Sequence, residues 1–334
     1  MELEICDDEQ VRHVLFALIA AILFGTTGTA QALGPDGAAS LSVGSARIVI
    51  GGAALALVAW VLSRRSSTAL RDPMPGSPTS DMLSLHIPNL PEPDPQSSPV
   101  EKRRRAWPVV AIGAAAIVAY QPAFFLGTSI NGVAIGTVVA IGSGPIITGA
   151  LEWALFRRFP GFAWLAATVI AVVGIVLLSG AGEAGSADAT GLLLSLAAGA
   201  CYAIYALSAK QLLIDGWTPT GSVALIFGWS AVGALPFLLL TDLSWLATLD
   251  GVIMALWLGL VTITVASLFL ANGLKALSAS TVATLGLGEP FTATLLGVLV
   301  LHEVLSGRAL VGLALVVFGL VLIGSLRARR PVPA

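Results

Sequence analysis

Two charged residues stand inside stretches that are otherwise almost wholly apolar: Arg47 in Ser45-Ala46-Arg47-Ile48-Val49, and Glu289 in Leu287-Gly288-Glu289-Pro290. An ionised side chain in hydrocarbon costs about 2.5–3.5 kcal/mol on insertion scales, so such residues face the protein interior or water and mark a candidate site. A guanidinium fork grips a carboxylate through two parallel hydrogen bonds, which makes Arg47 a natural anchor for an acidic group. Glu289 suits either of two tasks: carrying a proton between two aqueous sides, or fastening the backbone that Pro290 frees.

Other polar side chains gather at similar depths. Tyr120 and Gln121 fall near the level of Arg47, Thr26 and Thr27 are comparable, and Tyr202 and Tyr205 lie nearer the middle of their run. A tyrosine at mid-helix is informative because its hydroxyl needs a polar partner there. Arg47, Tyr120, Gln121, Tyr202 and Tyr205 are therefore the candidate substrate-binding set. Trp229, Trp257 and Asn272 are weaker members. Pro145 and Pro290 each remove a helical hydrogen bond, and glycines precede both (Gly142 and Gly144; Gly286 and Gly288). They read as hinges or half-helix breaks at matching depth, which with Glu289 form a coupling or gating set. Glu152 lies three residues from a helix end beside Arg157 and Arg158 and reads as a snorkelling side chain. Trp60, Trp107, Trp153, Trp164, Trp217 and Trp245 sit near helix ends and read as interfacial anchors. Gly132-Val133-Ala134-Ile135-Gly136 reads as a close helix–helix contact.

Enzymatic chemistry finds little support. His13, His86 and His302 are scattered, so three ligands for a metal are not at hand. A glycine-rich phosphate loop closing on Lys-Ser/Thr is absent from the sequence. Neither a metal nor a cofactor is expected, and 17 Lys+Arg against 19 Asp+Glu leave no basic excess for nucleic acid. Cys6 and Cys201 make no disulfide framework.

These residues must be positioned by membrane helices. With 56% hydrophobic and 11% charged residues, and a mean hydropathy of +0.91, the 334-residue chain lacks the polar surface of a soluble domain. Apolar runs long enough to cross a bilayer fall at about 12–33, 40–63, 107–127, 131–155, 162–180, 189–212, 218–240, 248–272, 278–301 and 307–326. The runs are continuous rather than alternating, which excludes a β-barrel. The leader Met1–Glu9 is acidic, so the first run reads as a span and not as a cleaved signal. Residues 66–106 are rich in Pro and Ser, end in Lys102-Arg103-Arg104-Arg105, and read as a disordered insert, first of all a tolerated linker, with lipid binding by the basic tetrad as the alternative. Lys and Arg concentrate in the loops that share a side with the termini, whereas Gly34-Pro35-Asp36-Gly37 and Gly182-Glu183-Ala184 hold none. Both termini are thus expected in the cytoplasm, with the protein in the cytoplasmic (inner) membrane as a multi-pass chain.

At an offset of 145 residues Pro145 matches Pro290, and Leu165, Val172, Gly174 and Leu177 match Leu310, Val317, Gly319 and Leu322. The match divides the helices five and five, at 12–180 and 189–326. A five-span unit must insert its second copy upside down, so the expected fold is all-α: ten transmembrane helices in two inverted five-helix repeats.

Glu289-Pro290 followed by Leu301-His302-Glu303, then Gly312 and Gly319, resembles the penultimate-helix pattern of the drug/metabolite transporter superfamily, in its ten-helix members with two EamA-type repeats. Arg47 resembles that family's second-helix arginine, and Phe24-Gly25 its first-helix aromatic–glycine pair. The first repeat departs from the pattern: Gly144 precedes Pro145, and Arg158 stands where the second repeat has Glu303. The resemblance implies a secondary transporter, not an enzyme, that exports small metabolites by alternating access, with amino acids or related compounds the commonest cargo. The partners would be a small-molecule substrate and the lipid bilayer, with protons as the coupling ion Glu289 would serve. A passive channel or facilitator for small polar solutes would share the spans but need a continuous polar lining.

Overall fold

The computed structural model describes residues 2–69, 99–157, 159–179, 187–302 and 304–328. Its regular structure there is helical, and ten helices are long and apolar enough to cross a membrane: α1 Glu9–Ala32, α2 Ser40–Arg64, α3 Ala106–Gly132, α4 Ile135–Phe156, α5 Phe162–Ser179, α6 Ala189–Ile214, α7 Pro219–Leu239, α8 Leu249–Ala276, α9 Ala279–Val300 and α10 Gly307–Ser325. All ten expected spans are present. The first helix begins earlier than expected, at Glu2, and helical structure reaches into both ends of the insert, to Ala69 and from Pro99. The insert's ends extend the flanking helices, a correction to its expected disorder throughout; residues 70–98 lie outside the described residues. So do Arg158, Glu303 and the segment Gly182-Glu183-Ala184.

Lipid is as apolar as leucine, so helices in it associate through close packing of small residues rather than through a hydrophobic drive. Here α2 and α8 cross where Gly51 and Gly259 lie back to back: a Cβ on Gly51 would meet the Gly259 carbonyl at 2.7 Å. Gly52 abuts the Phe227 carbonyl of α7, Gly113 and Gly127 abut Ser208 and Ser195 of α6, and Gly25 abuts Thr292 and the Glu289 carbonyl of α9. The neighbours follow one rule. Helix α1 packs on α8 and α9, and α6 packs on α3 and α4; α2 pairs with α7, and α5 with α10. This pattern is unchanged when α1–α5 are exchanged for α6–α10.

Two details obey the same exchange. In the α5–α10 crossing, Gly174 approaches Gly312 and Val316, while Gly319 approaches Ala167 and Ala171. The 145-residue offset carries the first set of positions onto the second. It also carries Arg157 (φ 56°) onto His302 (φ 57°), the two non-glycine residues with positive φ among those described.

Two local departures were not legible in the sequence. Gly132 (φ 80°, ψ 156°) is the turn between α3 and α4, and Gly136 packs on Thr128 of α3. The expected glycine-pair contact is therefore a hairpin turn, which corrects that reading: the first glycine supplies backbone freedom and only the second supplies closeness. Helix α8 runs as a π-helix over Trp257–Val265. There Thr264 Oγ1 donates to the carbonyls of Gly259 (3.2 Å) and of Gly51 across the crossing (3.1 Å).

The apolar core is lopsided. Its largest cluster draws Val14 and Ala17 from α1, Leu55 from α2, Val110 from α3, Trp164 from α5, Leu212 from α6, Val223 from α7, Leu274 from α8, Leu285 from α9 and Ile323 from α10. All of these lie in the half of the bundle nearer the termini. The far half holds two smaller clusters, Val43 with Met254 and Leu258, and Val138 with Ile175 and Val316. The apolar core is thus concentrated in the half nearer the termini and divided in the other.

A Cβ at Gly174 or Gly312 would press on partner backbone at 2.7 and 2.5 Å. Gly174→Ala and Gly312→Ala should each destabilise the detergent-solubilised protein by about 1–3 kcal/mol, read as a lower thermal unfolding midpoint. Gly28→Ala, where a Cβ meets nothing within 4 Å, should leave it unchanged or raise it, since alanine is favoured in a helix by about 1 kcal/mol.

Candidate functional site

The site is organised by an interruption in α9. Pro290 has no N–H to give the Gly286 carbonyl, and the Glu289 amide takes that carbonyl instead, at 2.9 Å. Leu287 N–H likewise bonds three residues back, to Thr284 O at 3.1 Å. The tightened turn splits the span into Ala279–Leu285 and Gly288–Val300. Glu289 thus sits in the first turn of the second half, about 15 Å from the start of the span at 1.5 Å per residue. Helix α4 shows no such break: it runs without interruption through Pro145. The matching pair of breaks expected from the prolines is present on one side only, because Pro290 is preceded by a carboxylate-bearing, tightened turn and Pro145 by an ordinary helical one.

Two adjoining cavities meet at this break. The one nearer the far face is lined by Arg47 and Ile48 of α2, Ile117, Tyr120 and Gln121 of α3, Tyr202 and Tyr205 of α6, Phe227 of α7, Ile263 of α8, and Phe24 and Glu289. The other reaches farther toward the termini, from Ala140 and Ile141 of α4 past Gly144 and Pro145 to Ala17, Ala20 and Ala21 of α1 and Val282, Ala283 and Gly286 of α9. Their cavity volumes are about 90 and 50 Å³. Phe24, Tyr120, Tyr202 and Glu289 border both. Glu289 therefore stands where the two cavities adjoin, with Arg47 on one side and the broken backbone of α9 on the other.

The upper cavity has a polar and an apolar wall. Arg47 and Glu289 both face it but form no contact ion pair among the described residues. Arg47 Nε is buried without a hydrogen-bond partner among those residues, and so is the hydroxyl of Tyr205. Buried polar groups normally have partners, so the Arg47 guanidinium is available to a ligand, whereas the Tyr205 hydroxyl has the Ser267 side chain beside it. Gln121 is held by packing, since its Oε1 occupies the space that a Cβ on Gly44 would fill. Aromatic rings brace the opposite wall: Tyr202 meets Tyr205 edge to face at 6.4 Å, and Tyr205 meets Phe227 at 5.4 Å. Tyr120 stacks on Phe124 at 5.7 Å.

All five residues expected to bind substrate thus border one cavity, and Glu289 and Pro145 border it or its neighbour. Pro290 lines neither; its carbonyl accepts from Thr294 Oγ1, and its effect is felt through the turn before it. Thr26 is tied to Trp257 Nε1 at 3.0 Å, Trp229 packs edge to face on Trp107, and Asn272 donates to Leu268 O while its own carbonyl meets His13 Nδ1. None of these borders the two cavities. Phe24 appeared in the sequence only as part of an aromatic–glycine pair, and Ile117, Phe227 and Ile263 carried no signal that set them apart from lipid-facing apolar residues.

Three polar readings are corrected. Glu152 does not snorkel: it is buried, and its two oxygens accept from Ala279 N (3.2 Å) and Ser280 N (3.0 Å) at the start of α9. The first amides of a helix lack partners within it, and a carboxylate supplies them. Trp164 and Trp245 are buried rather than interfacial. Trp164 Nε1 donates to Ser280 O and Thr284 Oγ1, and Trp245 Nε1 to Ser42 Oγ. The sequence marks these residues as close to helix ends; it does not say that the ends face other helices.

Comparison with known proteins bears directly on the fold and its class. The family model described as the EamA-like transporter family matches residues 189–325. An uncharacterised transporter, YwfM, of Bacillus subtilis (strain 168) is 38% identical over 313 residues, spanning 94% of each chain. An uncharacterised transporter of Clostridium kluyveri is 24% identical over 159 residues, 45% of this chain and 50% of that one. A solved crystal structure superposes with a TM-score of 0.72 at 20% identity, covering 95% of this chain and 98% of the other, which is a likeness of fold. With ten membrane helices and a relative of this identity along nearly its whole length, the chain belongs to the EamA-like transporters of the drug/metabolite transporter superfamily.

Proposed function

We propose that this transporter is a secondary carrier that exports small metabolites, amino acids or related compounds first among them, across the cytoplasmic membrane by alternating access. The observation that carries the reading is the mid-depth cavity, where Arg47 and Glu289 face one space without neutralising each other. A free guanidinium binds a substrate carboxylate. Tyr120 and Gln121 beside it, and Tyr202 and Tyr205 opposite, supply further hydrogen bonds. The apolar wall of Phe24, Ile117, Phe227 and Ile263 accommodates an apolar substrate body. Glu289, where the two cavities adjoin, couples or gates, with protons as its ion; Pro145 and Pro290 let the helices around it flex.

Residues 12–180 and 189–326 are the two inverted repeats. The exchangeable helix pairing, the reciprocal glycine contacts of α5 with α10, and the matched left-handed residues Arg157 and His302 all support this. The charge distribution puts both termini in the cytoplasm. On that orientation the packed termini half closes the cavity to the cytoplasm, and the cycle must open it there while closing the far side. The same packing argues against a passive channel, which needs a continuous polar path.

Arg47→Ala should abolish flux in proteoliposomes while the protein still inserts; each hydrogen bond to a charged group contributes about 1.5–3 kcal/mol, so even one lost contact implies roughly a tenfold loss. Unchanged flux would remove Arg47 from the site. A metabolite panel in the same vesicles, with and without a proton gradient, tests the cargo and the coupling together. A gradient-dependent flux that Glu289→Gln uncouples is the expected result, and flux indifferent to the gradient would reduce Glu289 to a structural role.

A further inference from the structure

The turn between α8 and α9, at the termini face, is held from two sides by opposite charges that belong to other helices. Glu152 of α4 takes the first two amides of α9, Ala279 N and Ser280 N. Lys210 of α6 donates through Nζ to the last carbonyls of α8, Leu274 O at 2.7 Å and Leu277 O at 2.9 Å. The local cap leaves those two amides free, because Ser278 Oγ accepts only from Thr281 N, at 3.3 Å, so the acceptor they use belongs to another helix. Nor is it a contact ion pair: Glu152 and Lys210 act on backbone, from one helix group (α3, α4, α6) onto another (α1, α8, α9).

The two groups are those that the repeat exchanges, and the contact is not repeated on the other face. The 145-residue offset carries Glu152 to Gly297, which has no side chain to offer. At the far face the α3–α4 turn is held, among the described residues, within its own group by Asn131, whose side chain pairs with the backbone N–H and carbonyl of Asp188 at 2.8 and 2.9 Å. Directly above the charged grip lies the lower cavity, lined by Val282, Ala283 and Gly286.

We infer that Glu152 and Lys210 are the gate residues of the termini face: a clasp between the two moving groups that holds this side shut and must release in every cycle. This goes beyond the carrier reading and rests on it. Glutamine at 152 offers one oxygen and one NH₂ where two amides need two acceptors, so Glu152→Gln breaks the clasp with little change of shape. Lys210→Met removes the donors and keeps the apolar stem, whereas Lys210→Arg keeps both charge and donors.

The test is substrate-free. In full-length protein with Cys6 and Cys201 replaced by serine, Ala283→Cys places a thiol in the lower cavity, and a membrane-impermeant thiol reagent is added to vesicles of each orientation. The clasped protein should label slowly from the termini side. Glu152→Gln and Lys210→Met should each raise that rate roughly tenfold or more, the population shift expected from losing a hydrogen bond to a charged group, and Lys210→Arg should stay near the clasped rate. Termini-side labelling no faster in Glu152→Gln and Lys210→Met than in the clasped protein overturns the gate. Should Glu152→Gln not reach the membrane, Lys210→Met, which leaves the carboxylate cap in place, decides alone. Rapid labelling from both sides already in the clasped protein overturns the carrier reading instead, so the two failures are told apart.

Discussion

A seven-residue helix cannot satisfy its own ends, and while it is buried in the closed bundle no water reaches it to do so. The first half of α9 is such a helix, and every one of its residues is buried. Its amides are taken by Glu152 and Ser278, and its Ser280 carbonyl by Trp164 Nε1 and Thr284 Oγ1. Thr168 meets the same Thr284 hydroxyl at 2.9 Å. Helices α4 and α5 are tied in this way to a segment that exists only because Pro290 interrupts the span, and the packing of the termini half is built around it.

The interruption also makes the site. An unbroken α9 would present a smooth apolar surface at mid-depth. The tightened turn before Pro290 instead places Glu289 at the junction of two cavities and thins the wall between them to Phe24, Tyr120, Tyr202 and the acid itself. Placing a charge there is costly unless something shares it, and Arg47 across the upper cavity lies within its electrostatic reach without closing on it. A bound molecule with complementary groups would complete the arrangement.

Symmetry and its breaking divide the work. Pairing of the helices obeys the exchange of five for five, and in the α5–α10 crossing small residues at equivalent positions, Gly174 and Gly319, make the close contacts. The departures concentrate along one route through the protein. The π-helix lies in α8 and not in α3, the break in α9 and not in α4, and the main apolar cluster at one face. The two groups of helices are thus equivalent in pairing but not in local structure.

The sequence by itself determined the membrane, the ten spans to within a few residues at most ends, and the five binding candidates, because each follows from a local cost: an apolar run of sufficient length, a charge that cannot face lipid, a hydroxyl that needs a partner. It marked Pro145 and Pro290 as equals, and Glu152, Trp164 and Trp245 as side chains near helix ends. Only the tertiary structure decided that one proline breaks its helix and the other does not, that Glu152 caps a helix more than a hundred residues away in the chain, and that Phe24, Ile117, Phe227 and Ile263 face a cavity rather than lipid. The physical reason is common to all three. In a bilayer both faces of a helix are apolar, so the period that separates inside from outside in a soluble protein is nearly absent, and a residue's partner is set by which helices meet.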